Sequence, residues 1–184
     1  MKEFKVHDVK TAPSDSRADL EKINKDNGNI PNVYAVMAES PQLLKAHMAA
    51  RELFNKATLG KQDRKIVLLA VSRELGSAYD MAVHSGAAEK HNVPAEVIES
   101  VRAGTALKDK KLEALRSFTT HVVKQHGEVA DGEIKAFLDA GYSHANVLEI
   151  VLAAGMVTWT SYTSQIAKIE LDAQFEQKVW KKAS

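Results

Sequence analysis

Gln62-Asp63-Arg64-Lys65-Ile66-Val67-Leu68-Leu69-Ala70-Val71-Ser72-Arg73-Glu74-Leu75-Gly76-Ser77-Ala78-Tyr79-Asp80-Met81-Ala82-Val83-His84 is the stretch that decides the fold. It reads as a helix from about Gln62 to Leu75, a stop at Gly76, and a second helix capped by Ser77 that runs to about Lys90. Glycine ends helices because it tolerates left-handed backbone, and serine starts them because its hydroxyl accepts an orphan N–H. No strand-like alternation of apolar and polar residues interrupts the stretch.

The same punctuation continues outward in both directions. Ser14 or Asp15 caps a first helix to about Asn24, followed by a loop over 25–29. Pro31 starts a short helix, and Ser40-Pro41 starts another that runs to about Lys56. Downstream, Pro94 opens a helix, and Leu112, Leu115, Phe118 and Val122 recur at helical spacing before Gly127. Asp131 or Gly132 opens a helix ending at Gly141. Ser143 caps a long one from about His144 to Ile169, and Asp172 starts the last. The expected fold class is all-α, with an extended arm over 1–13 and one helical domain over 14–184. A weak internal two-helix repeat is expected. Val67-Leu68-Leu69-Ala70-Val71-Ser72 echoes Ile150-Val151-Leu152-Ala153-Ala154-Gly155, and Ser77-Ala78-Tyr79 falls opposite Thr160-Ser161-Tyr162.

Composition narrows the chemistry. The 184 residues carry 25 Lys plus Arg against 24 Asp plus Glu, so no broad field favours nucleic acid or an anionic membrane. There is no cysteine, hence no disulfide, no thiolate nucleophile and no thiolate metal site. No run approaches the roughly 20 apolar residues of a membrane span. Residues 1–8 lack the apolar core of a signal peptide, and the expected location is the cytoplasm. No cofactor and no metal are expected.

Ser77, Asp80 and His84 fall at i, i+3 and i+7, near one face of a helix. In one reading Asp80 accepts a hydrogen bond from His84 and makes it an acid–base group near neutral pH. Ser77 and the helix N-terminus then offer donors to a substrate carboxylate. In the other reading Ser-x-x-Asp is a helix cap and His84 a buried structural histidine. Among the other histidines, His91 and His126 lie near helix C-termini, His47 and His121 on helices, His144 at a helix start and His7 in the tail. None has a metal-spaced partner. Tyr34, Met37, Trp159 and Tyr162 are candidates to line a pocket or to fill the core.

The chain resembles the carboxymuconolactone decarboxylase / alkylhydroperoxidase D-like family, closest to its longer, peroxidase-related members. The resemblance is carried by Gly28-Asn29-Ile30-Pro31-Asn32-Val33-Tyr34, Ser40-Pro41, the helix from Asp63-Arg64 to Arg73, Tyr79 with His84, Ala140-Gly141-Tyr142, Asn146-Val147-Leu148-Glu149 and Tyr162-Thr163. Peroxidatic members carry Cys-x-x-Cys-x-x-x-His. Here Ser77 and Asp80 stand at the thiol positions, and the relay glutamate position holds Lys65, with Asp63 the nearest acid. Serine and aspartate cannot cycle between thiol and disulfide, which excludes thiol peroxidase chemistry. The resemblance implies an alkylhydroperoxidase D-like helical fold and a homo-oligomer, a trimer or a hexamer. It points to acid–base chemistry of decarboxylase or lyase type on a small carboxylate or lactone, the family's cysteine-free branch. His84, Asp80 and Ser77 are then the catalytic candidates, and Tyr79, Tyr34, Lys65 and Tyr162 the substrate-binding ones. A non-catalytic ligand-binding or assembly role, or a peroxiredoxin-like antioxidant role by a thiol-free route, stands as the alternative.

Overall fold

Why the chain folds around one helix is visible in a single run. Every residue from Ile66 to Ser72 is buried, so this helix is apolar all round and must sit inside others. The computed structural model describes residues 4–182. It places the run in α4 (Lys61–Glu74), packed against α5 (Ala78–Lys90), α6 (Ala95–Ala103), α7 (Lys110–Lys124) and α9 (His144–Ile166). The remaining helices are α1 (Ser14–Asn27), α2 (Asn32–Met37), α3 (Pro41–Asn55) and α8 (Asp131–Asp139), and a short 3-10 turn covers Ala173–Lys178. No strand occurs among the described residues, and the all-α expectation holds.

Ser40, Ser77 and Ser143 cap their helices as read from sequence, whereas α1 starts directly after Pro13 with no side-chain cap, so neither Ser14 nor Asp15 caps it. Ser40 accepts Leu43 N–H at 3.4 Å with Pro41 behind it. Ser143 accepts Asn146 N–H at 3.3 Å while Asn146 Oδ1 accepts Ser143 N–H at 2.9 Å. Each such cap stabilises its helix by about 1 kcal/mol.

Three boundaries differ from the sequence reading. α1 continues through Lys25-Asp26-Asn27 and stops only at Gly28, the first residue free to adopt φ +80°. α9 ends at Ile166, where Lys168 turns left-handed and Ile169 N–H reaches back to the Ser164 carbonyl at 2.9 Å. Asp172 does not start an α-helix. Its carboxylate accepts Asn32 N–H at 3.0 Å and the Tyr79 hydroxyl, and the chain beyond it closes a 3-10 turn instead.

The internal echo is one of sequence and not of element pattern. The first copy is two helices broken at Gly76 (φ +68°), whereas the second lies inside the uninterrupted α9. Of the expected arm, residues 1–3 lie outside the described residues, as do 183 and 184 at the end of the domain. Residues 4–13 carry no helix, yet His7 and Ala12 are buried. His7 N–H donates to the Ala35 carbonyl and its ring pairs with Glu39, which ties this segment to α2.

Two apolar clusters result. The larger holds α4, α6, α7, α8 and α9 around Leu69, Leu115 and Ile150, with Phe118, Phe137 and Tyr142 stacked at 4.4 and 4.5 Å between ring centroids. The smaller joins α1, α2 and α3 to Tyr79 through Leu20, Met37 and Leu44. Side chains from both border one cavity.

Candidate functional site

The turn at Gly76 sets the site by aiming the first residues of α5 inward. Ser77 is fully buried and caps α5, its Oγ accepting Asp80 N–H at 3.1 Å. Asp80 does not complete a capping box, because Ser77 N–H is taken by the Ser72 carbonyl. The Asp80 carboxylate instead accepts the Ser77 hydroxyl at 2.9 Å, and the Thr160 hydroxyl of α9, which donates to the Val157 carbonyl at 3.0 Å, lies near enough to influence it. Ser77 therefore stands behind Asp80 and not on the cavity wall, which removes it as a direct contact for a substrate anion.

The cavity has a volume of about 670 Å³, within the range of small-molecule sites. Its wall includes Tyr34, His47, Arg51, Phe54, Lys65, Leu68, Tyr79, Asp80, His84, Met156, Val157, Thr160 and Phe175. Five lysines and arginines (Arg51, Lys61, Arg64, Lys65 and Lys90) face two acids, Asp26 and Asp80. That imbalance gives the cavity a positive field in a chain that is nearly neutral overall.

Burial pushes the Asp80 carboxyl up to about 7, against the lowering effect of its bonds to Ser77 and Thr160. The protonated form of Asp80 is thereby favoured up toward neutral pH. His84 moves the other way. Burial, with Lys65, His47 and Arg51 adding positive charge, holds its pKa down at about 3. His47 is held at about 4 by burial and Arg51. Both imidazoles are neutral, and His84 Nε2 and His47 Nδ1 are buried without a hydrogen-bond partner among the described residues.

The expected Asp80–His84 hydrogen bond is absent. One helical turn separates the two residues, but the Asp80 oxygens turn toward Ser77 and Thr160, and His84 stays unpaired. The roles reverse: the carboxyl titrates near neutrality and the histidine does not. Tyr79, Tyr34 and Lys65 line the cavity. The Tyr79 hydroxyl is committed, accepting Val33 N–H at 3.2 Å and donating to Asp172. The Tyr34 hydroxyl accepts from Arg51 at 3.4 Å, and its ring sits 5.3 Å from that of His47.

Tyr162 is not at the site. It is 55% exposed and off the cavity wall. The cavity-facing residues of α9 are Met156, Val157 and Thr160, and two residues past Thr160 is a rotation of about 200°. Met37 lies in the smaller cluster and Trp159 at the surface. The sequence reading missed His47, Arg51, Thr160 and Phe175. The His47/Arg51 pair at i, i+4 was the available signal, since it puts an imidazole and a guanidinium on one face of α3. His7, placed in a loose tail by sequence, is buried. No group of three or more His, Cys, Asp or Glu is arranged to hold a metal ion among the described residues. No helix there is long and apolar enough to cross a membrane.

No family model matches the chain, and no curated protein matches it either. Solved structures do. A peroxidase-related protein from Ralstonia eutropha JMP134, described as an alkylhydroperoxidase AhpD core, superposes with TM-score 0.84 at 18% identity, covering 97% of each chain. A peroxidase-related protein from Silicibacter sp. TM1040 gives 0.80 at 16% identity, over 95% of this chain and 92% of that one. The debrominase Bmp8, in complex with 2,3,4-tribromopyrrole, gives 0.73 at 13% identity, over 88% and 91%. What these likenesses establish is the architecture: the chain has the all-helical fold of alkylhydroperoxidase AhpD.

Proposed function

We propose that the cavity binds a small carboxylate or lactone and performs acid–base chemistry of decarboxylase or lyase type, with Asp80 as the group that moves the proton. The observation that supports this reading most is a buried carboxyl titrating at about 7 on the wall of a cavity rich in cations. A general acid or base works best when its pKa lies near the working pH. Ser77 and Thr160 orient that carboxyl, and the neutral, unpaired His47 and His84 offer further donors and acceptors to a ligand. The cationic side chains attract the substrate anion. A solved structure of this fold in complex with a small ring compound supports a small-molecule ligand here.

The test is a panel of small carboxylates and lactones, each paired with its uncharged amide or ether analogue, read by thermal shift and by turnover. Carboxylates are expected to raise the melting temperature more than their amides, and at least one is expected to be consumed. Equal effects of both members of every pair contradict the anion reading. Binding without turnover of any compound favours a non-catalytic ligand-binding role.

The proposal includes a homo-oligomer, a trimer or a hexamer. Leu148, Val151, Trp159, Tyr162 and Ile166 leave apolar surface exposed along α9, of the kind that assembly covers. Light scattering at micromolar concentration is expected to give a mass several times the 20.2 kDa of one chain. A monomer contradicts it.

A further inference from the structure

The acid–base reading gives one cavity group no role beyond its charge. Lys65, on α4, lines the wall and takes part in none of the ion pairs among the described residues. Its charged neighbours are cations: Arg64 beside it in sequence and Arg51 from α3. His84 from α5 and His47 from α3, both neutral, share the same wall. Lys61 and Lys90 also border the cavity but are exposed. Lys65 is partly buried, and an amine that is partly desolvated, unpaired and set beside other cations is an arrangement that frees a lysine lone pair for attack on a carbonyl. Burial first, then Arg64 and Arg51, lower the pKa of Lys65.

We infer that Lys65 forms an imine with the carbonyl carbon of a small 3-oxo carboxylate. The inference rests on the proposed acid–base function and names its substrate class. The amine lone pair bonds to the carbonyl carbon, and the C=O π electrons move to oxygen, which takes a proton. The resulting carbinolamine loses that hydroxyl as water, with a second proton supplied by protonated Asp80 or by solvent, and the C=N bond forms. The protonated imine then accepts the electron pair of the C–C bond to the carboxylate. Carbon dioxide leaves, and an enamine remains. Protonation of the enamine carbon and addition of water release a ketone and restore the free amine. Each cycle consumes one proton and no oxidant or reductant.

The experiment incubates the full chain with acetoacetate and sodium borohydride, which reduces an imine to a stable secondary amine. Intact mass and peptide mapping then locate the product. The expected result is one adduct per chain, on Lys65, requiring both reagents. It should vanish in Lys65→Arg and persist in Lys61→Arg and Lys90→Arg, with circular dichroism verifying that each variant is folded. Label that persists in folded Lys65→Arg, or is spread evenly over surface lysines, overturns the inference. Thermal shift with acetoacetate separates the two claims. Binding of acetoacetate without an adduct overturns the imine and leaves the acid–base function standing, whereas loss of all carboxylate binding overturns both.

Discussion

Replacing Asp80 by Asn is expected to lower turnover of any accepted substrate by about 10²–10⁴-fold, the range that a positioned proton-transfer group supplies. The fold is expected to survive. Asparagine keeps the shape of the protonated carboxyl, and the Ser77 and Thr160 hydroxyls next to it can rotate to meet an amide. The two proteins also part company in stability. A buried carboxyl whose native pKa is raised from 3.8 to about 7 binds its proton more tightly folded than unfolded. Stability from that group is therefore lost as pH rises from about 4 through 7 and is fully lost above. The Asp80→Asn variant escapes this loss, so its melting temperature relative to wild type should climb over the same interval. Unchanged turnover in a folded variant contradicts the assignment of Asp80. A melting-temperature difference that stays flat with pH contradicts its raised pKa.

The second large effect is acid sensitivity set by two histidines. His84 and His47 are held neutral, with pKa values of about 3 and about 4 against 6.5 in the unfolded chain. Below pH 6.5 the unfolded chain takes up two protons that the native chain refuses, so stability falls as pH drops toward 4. Asp80 works in the opposite direction over part of that range, but two groups outweigh one. The combined loss is of the order of several kcal/mol, a large share of the stability of a domain this size. The double variant His47→Gln, His84→Gln removes the term. The melting-temperature gap between wild type and double variant should widen in favour of the variant between pH 6.5 and 4.5. A constant gap would show that the imidazoles titrate normally and that the cavity is wetter than its walls suggest.

The sequence carried the helices well because their punctuation is local. Ser40-Pro41, Gly76-Ser77 and Ser143 act within a turn, and the structure uses each as read. Boundaries failed where a later residue decided. Asn24 looked like an end, yet only Gly28 permits the left-handed turn. The site was legible in part. The α5 stretch from Ser77 to His84 drew notice, but spacing along a helix cannot reveal which hydroxyl a carboxylate meets across the core. Asp80 accepts the Ser77 hydroxyl at its own helix start, and Thr160, eighty residues on, adds to its surroundings. His47 and Arg51 reach the cavity only because α3 packs against α9. The reversal of roles between Asp80 and His84 has the same origin. Burial raises an acid and lowers a base, and burial is a property of the assembled fold.

The most direct test of the central claim is the ionisation of Asp80 itself. Aspartate carboxyls labelled with carbon-13 are followed by NMR across pH, and comparison with Asp80→Asn identifies the Asp80 signal. The account predicts a carboxyl that is protonated at pH 5 and loses its proton around pH 7, with the midpoint rising when a small carboxylate occupies the cavity, since a like charge disfavours ionisation. An Asp80 signal already ionised at pH 5 contradicts the account, because a fully charged carboxylate there can neither donate a proton at neutral pH nor be the tuned group on which the proposed chemistry rests.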